Sequence, residues 1–119
     1  MVRGYTTIEQ SRKLAEILPI ESADMGLYYS SNPNAARNQM WVGTKAENAN
    51  IPCWSLAVLL SILPNSIYDN TDEYSQLEFS KISVAYHDMN GGIKLGSIKD
   101  NLVDACYEMI IKLHEKNLL

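Results

Sequence analysis

The residues of this chain that could do chemistry are few and widely spaced. Gly91-Gly92-Ile93-Lys94-Leu95-Gly96-Ser97 sets Gly91 and Gly96 at the spacing of a phosphate-binding loop. In such a loop a Lys follows the second glycine and a Ser or Thr comes next, so that backbone amides, an ammonium and a hydroxyl hold phosphates and magnesium. Here Ser97 and Ile98 occupy those places and Lys94 falls inside the loop. The segment therefore reads as a hairpin turn followed by a helix cap.

His87 and His114 are far apart, and no His or Cys pair has the close spacing of a structural zinc site. His114 lies where a helix carboxyl end would favour its charged form. His87 beside Asp88 could form a base held by a carboxylate, but adjacent strand residues point to opposite faces. Asp69, Asp72 and Glu73 lack the glycine and terminal glutamate of a calcium loop, so a solvated acidic loop is expected. Neither Cys53 nor Cys106 has a cationic sequence neighbour that would favour a thiolate. Both fit apolar helical patterns, where reduced cysteine packs as a small hydrophobe. The serine nucleophile elbow is also missing. No catalytic residue, cofactor or metal is assigned, which disfavours an enzyme without excluding one built from scattered residues.

Aromatic usage is more informative. Seven of the ten aromatic residues are Tyr, which joins an apolar ring to a polar tip and serves both packing and recognition. Tyr28, Tyr29 and Trp41, with Arg37 between them, form the candidate partner surface. The competing reading is that one Tyr of the pair faces the core and the other merely lies on the surface.

The elements that must position these residues follow from periodicity and caps. Thr6-Thr7-Ile8-Glu9 fits a capping box between Thr6 and Glu9, and Pro19 stops continuation, so a helix is predicted from about Thr7 to Leu18. Leu27-Tyr28-Tyr29 and Met40-Trp41-Val42 read as two short strands joined by a loop. A second helix is predicted from Pro52 to Leu63, where only Ser55 and Ser61 interrupt an apolar circumference that would form the centre of the core. Ser66 to Ser75 reads as a surface loop.

Leu77 to Tyr86 alternates as a strand, with a shift of phase at Ser80 and Lys81 that a β-bulge would produce. A turn at Asp88 to Gly92 and a returning strand at Ile93 to Leu95 complete a hairpin. Ser97-Ile98-Lys99-Asp100 resembles a second capping box, opening a final helix from Ile98 to about Asn117 with Leu102, Cys106, Met109, Ile110 and Leu113 on one face. The expected fold class is α+β, in the order α-β-β-α-β-β-α, with three helices on a small, mostly antiparallel sheet of roughly four strands.

The 119 residues fit a single globular domain. Ten basic against fourteen acidic residues leave a net charge of −4, so nucleic acid is not an expected partner. As a helix, Ile51 to Leu63 would span only about 20 Å, short of the roughly 30 Å hydrocarbon core, so no membrane is expected. Met1 to Thr7 lacks a signal-peptide pattern.

Four pieces carry a resemblance: Thr7-Ile8-Glu9-Gln10-Ser11, Ala23-Asp24-Met25, Pro52-Cys53-Trp54-Ser55-Leu56 with Leu59-Leu60 and Leu63-Pro64, and Asp104-Ala105-Cys106-Tyr107-Glu108-Met109-Ile110. Together they resemble small uncharacterised proteins carried by phages, prophages and mobile elements of gut Bacteroidetes. The resemblance implies a bacterial host and brings no catalytic residue or cofactor with it; with no signal-peptide pattern and both cysteines read as reduced, the expected location is the cytoplasm of that host. The expected function is a non-enzymatic interaction or accessory module with a protein partner. The alternatives are a self-associating assembly component, suggested by Trp54 and the apolar second helix, and a small-molecule enzyme.

Overall fold

A computed structural model describes residues 4–29, 40–43, 51–68 and 74–119. The elements are α1 (Ile8–Ile17), a 3-10 turn (Ile20–Ser22), β1 (Met25–Tyr29), β2 (Met40–Gly43), β3 (Ile51–Cys53), α2 (Leu56–Ile62), β4 (Ser66–Tyr68), β5 (Tyr74–Phe79), β6 (Ser83–His87), β7 (Ile93–Ile98) and α3 (Leu102–Glu115). The class is α+β, and antiparallel strands separate the three helices as expected. The strands sort into two sheets, ordered β2-β1-β3 and β4-β5-β6-β7. The chain divides into two compact units, Gly4–Val58 and Leu59–Leu119.

Polar contacts between distant stretches shape Gly4–Val58. Thr7 caps α1 by accepting from the Gln10 amide at 3.1 Å, while the Gln10 side chain accepts from the Thr7 amide at 3.0 Å. The capping box thus sits one residue later than the sequence suggests, which frees Thr6 for another task. The buried Thr6 hydroxyl shares a 2.7 Å hydrogen bond with Ser11 and accepts from the Trp54 amide at 3.1 Å. The Thr6 amide in turn donates to the Trp54 carbonyl at 3.0 Å. Around these bonds, Leu27, Ile51 and Cys53 form an apolar cluster with Tyr5, Ile8 and Met25 packed against it.

The second helix starts later than predicted, because Ile51–Cys53 pairs with β1 as an edge strand, placing Pro52 opposite Gly26. An edge accommodates a proline, whose missing N–H removes no bond from the sheet interior. Asp24 then fixes the helix start. Its carboxylate accepts from the Ser55 amide at 2.9 Å and the Ser55 hydroxyl at 2.6 Å, and that hydroxyl accepts from the Val58 amide at 3.3 Å. α2 is not the centre of a core: Leu59 is its buried residue, whereas Ala57 and Ser61 are exposed. Trp54, expected as an interface residue, is fully buried and donates its Nε1–H to the Ser22 hydroxyl at 2.9 Å.

Apolar packing dominates Leu59–Leu119. α3 lies on β6 and β7, and its Val103, Ala105, Cys106, Met109, Ile110 and Leu113 are buried, as are Val84 and Tyr86 on β6. The Tyr86 hydroxyl donates to the Pro64 carbonyl at 2.7 Å. α3 begins at Leu102 because Asn101, not Ser97, caps it, accepting from the Asp104 amide at 2.9 Å. Ser97 and Ile98 belong to β7.

Two further expectations change. The phase shift at Ser80 and Lys81 is a hairpin turn, closed by the Ser80 amide on the Ser83 carbonyl at 2.8 Å. The irregularity of register lies instead at Tyr86 and His87, where Lys94 is the extra residue on β7. Ser66 to Ser75 is not a loop throughout, because Ser66–Tyr68 pairs with Tyr74–Gln76. Short runs rich in Ser and Asn hide strand character when a single apolar residue, here Ile67, faces inward.

Candidate functional site

Strand periodicity gives the four-stranded sheet one face toward α3 and one open face. Because successive residues alternate, buried Val84 and Tyr86 leave Ser83, Ala85 and His87 on the opposite face. The register brings Gln76 and Glu78 of β5 and Gly96 and Ile98 of β7 beside them. At one end Tyr68 and Tyr74 are cross-strand partners, with ring centroids 5.0 Å apart and a 43° tilt. Exposure is high for an apolar set: Tyr74 61%, Ile93 65%, Ile98 75% and Met89 88%. Isolated exposed hydrophobics are ordinary, whereas several on one sheet face constitute a patch.

The face has relief. A depression is lined by Tyr74, Gln76, Glu78, His87, Asp88 and Met89. A trough beside it runs over Ala85 and Gly96 between Ile93 and Ile98. A Cβ on Gly96 would stand 3.2 Å from the Ile93 side chain and 4.0 Å from that of Ala85, so the absence of a side chain keeps the trough deep. His87 borders both hollows.

The polar groups here are held by neighbours. His87 Nε2 is 3.3 Å from the Glu78 carboxylate, and its Nδ1 is 3.3 Å from the Gly91 carbonyl oxygen. Glu78 sits across the strand pair, so the carboxylate beside the imidazole is not the sequence neighbour Asp88. Asp88 Oδ1 instead accepts from the amides of Asn90 at 2.9 Å and Gly92 at 2.8 Å, closing the turn in which Gly91 takes a φ of 81°. The Gly91–Ser97 segment is thus a hairpin turn and a strand.

The free edge of β7 is occupied from within. Lys112 of α3 donates to the Gly96 carbonyl at 2.6 Å, and both Lys112 and Lys99 pair with Glu108. Covering an edge carbonyl with a lysine discourages another strand from adding there. The open face carries the exposed apolar side chains of this sheet.

Of the residues singled out from sequence, Tyr28 stands opposite Trp41 and Tyr29 opposite Met40 in the β1–β2 register. Arg37 and the side chains of Tyr28, Tyr29 and Trp41 lie outside the described residues, as do Asp69, Asp72 and Glu73. The residues that sequence reasoning missed are Tyr68, Tyr74, Ile93 and Ile98. A signal did exist for the last two, which flank Gly96 in a strand whose end was assigned to a helix.

Cys53 and Cys106 are free and buried. Burial pushes the Cys53 thiol up to about 11, with the Asp24 charge adding to it, and burial pushes Cys106 up to about 12. Both are protonated packing groups at neutral pH. Among the described residues no group of three or more His, Cys, Asp or Glu could hold a metal ion, and no helix is long and apolar enough to cross a membrane. No family model, curated protein or solved structure matches the chain.

Proposed function

We propose that this chain is a non-enzymatic interaction module of phage or mobile-element origin, acting in a bacterial host, and that it docks a protein partner on the open face of its four-stranded sheet. The observation that carries this reading is the concentration of exposed Tyr68, Tyr74, Ile93 and Ile98 on one face of a sheet whose other face is packed by α3. Patches of this kind mark interaction surfaces in small proteins. The reading moves the contact surface from the Tyr28–Trp41 strands to the sheet that carries Tyr68, Tyr74, Ile93 and Ile98.

Site-specific cross-linking in a Bacteroidetes host tests it. With p-benzoylphenylalanine in place of Tyr74, irradiation should yield one defined adduct, which Ile98→Asp abolishes while the melting temperature stays within a few degrees. The same probe at exposed Ala57 should give none. No adduct from position 74, or equal adducts from both positions, would overturn the reading.

A further inference from the structure

Charge is divided unevenly along the chain. Residues 1–58 hold five basic and five acidic side chains, whereas residues 59–119 hold five lysines against nine acids and so carry the whole net charge of −4. Lys99 and Lys112 are already committed to Glu108 and the Gly96 carbonyl. The charged carboxylates that line the depression on the open face are Glu78 and Asp88. Glu78 has a side chain 69% exposed, within reach of an incoming group.

Beside these carboxylates lie the exposed Tyr74 ring and the Met89 thioether. An aromatic face and a carboxylate together attract a cation whose stem is apolar, the chemistry of Arg and Lys side chains. The adjoining trough over Ala85 and Gly96 has Ile93 and Ile98 as its walls and suits a branched apolar side chain. Neighbouring strands stand about 5 Å apart and alternate side chains of an extended chain about 7 Å apart, so residues two apart in a segment can reach both hollows.

We propose, resting on the docking role above, that the partner presents a basic segment. An Arg or Lys side chain enters the depression against Tyr74, Glu78 and Asp88, and a neighbouring apolar side chain settles over Ala85 and Gly96. A second copy of this chain is a poorer occupant, because two like units of net negative charge repel.

Blocked peptides Gly-X-Thr-Val-Thr-X-Gly, which set each X two residues from Val, with X as Arg, Gln or Glu, provide the probe, titrated into the intact labelled protein and followed by NMR. The Arg peptide should shift the amide signals of Tyr74, Glu78, His87 and Met89, more weakly as salt rises. Glu78→Gln should weaken its binding about fivefold, whereas Glu115→Gln, which changes net charge equally, should leave affinity within about twofold. Equal binding of the Gln peptide, an unchanged Glu78→Gln variant, or no binding by any peptide would each overturn the basic-segment inference. The cross-link from position 74 then separates the two ideas: its survival leaves a docking face of other chemistry, and its absence removes both. An adduct between two copies of the chain would identify self-association and also overturn the inference.

Discussion

The two units hold themselves together by different means. In Gly4–Val58 side-chain hydrogen bonds join distant stretches beside the small Leu27–Ile51–Cys53 cluster: Thr6 to Trp54, Trp54 to Ser22 and Ser55 to Asp24. In Leu59–Leu119 an apolar stripe of α3 covers Val84 and Tyr86. Apolar burial is non-directional and tolerates small shifts. A buried hydrogen bond contributes little net energy when made and costs more when one partner is left alone. The first unit should therefore depend on a few polar atoms, and the second on filled volume.

The largest expected effect compares how the two units open. Each holds one buried thiol, Cys53 and Cys106, kept protonated by its surroundings. In Cys106→Ala and Cys53→Ala variants, the remaining thiol should react with a disulfide reagent at pH 8 on the order of a thousandfold more slowly than in urea. Cys53 should react faster than Cys106, reporting easier opening of the polar-linked unit. Faster labelling of Cys106 would reverse the comparison, and equal rates would mean that both open together.

Next in size is the apolar stripe. Ile110→Ala removes a fully buried side chain and should cost about 2–5 kcal/mol in urea unfolding. Half-buried Ile111, one residue on, should cost clearly less when cut to Ala. Similar losses at both positions would mean that α3 is not packed through one stripe.

Thr6 tests the polar side of the comparison. Thr6→Val keeps the shape but strands the Ser11 hydroxyl and the Trp54 amide, at a cost of about 1–3 kcal/mol. Thr6→Ser keeps the hydroxyl and should recover most of that loss in thermal melts. A Val variant within about 0.5 kcal/mol of wild type, the range of ordinary surface changes, would show that apolar burial holds both units.

This contrast also explains what was legible in the sequence. The α3 stripe was readable because Cys106, Met109, Ile110 and Leu113 recur at helical spacing within one local segment. The Asp88–Gly92 turn was readable because its chemistry is local too. Asp24 gave no signal, since its partner Ser55 is 31 residues away. Pro52 and Cys53 were read as the start of a helix because an apolar run has no period of its own, and only the pairing of Ile51–Cys53 with β1 decides it. The open face was hidden for the same reason: Tyr68 and Tyr74 become neighbours through strand pairing, not through spacing.

The smallest effect concerns the ionic cover on the β7 edge. Hydrogen bonding from Lys99, and from Lys112, holds the Glu108 carboxyl below the usual carboxylate range, against partial opposition from burial. With the folded value below an unfolded value of about 4.3, its contribution is full above that pH and disappears as pH falls through the folded value. The side chains are partly exposed, so the contribution should stay under about 1 kcal/mol. Glu108→Gln should therefore lower the melting temperature slightly at pH 7 and leave it unchanged near pH 2, with the difference shrinking at high salt. A gap that persists at pH 2 would mean that Glu108 acts by packing, placing even this charged rim on the apolar side of the comparison.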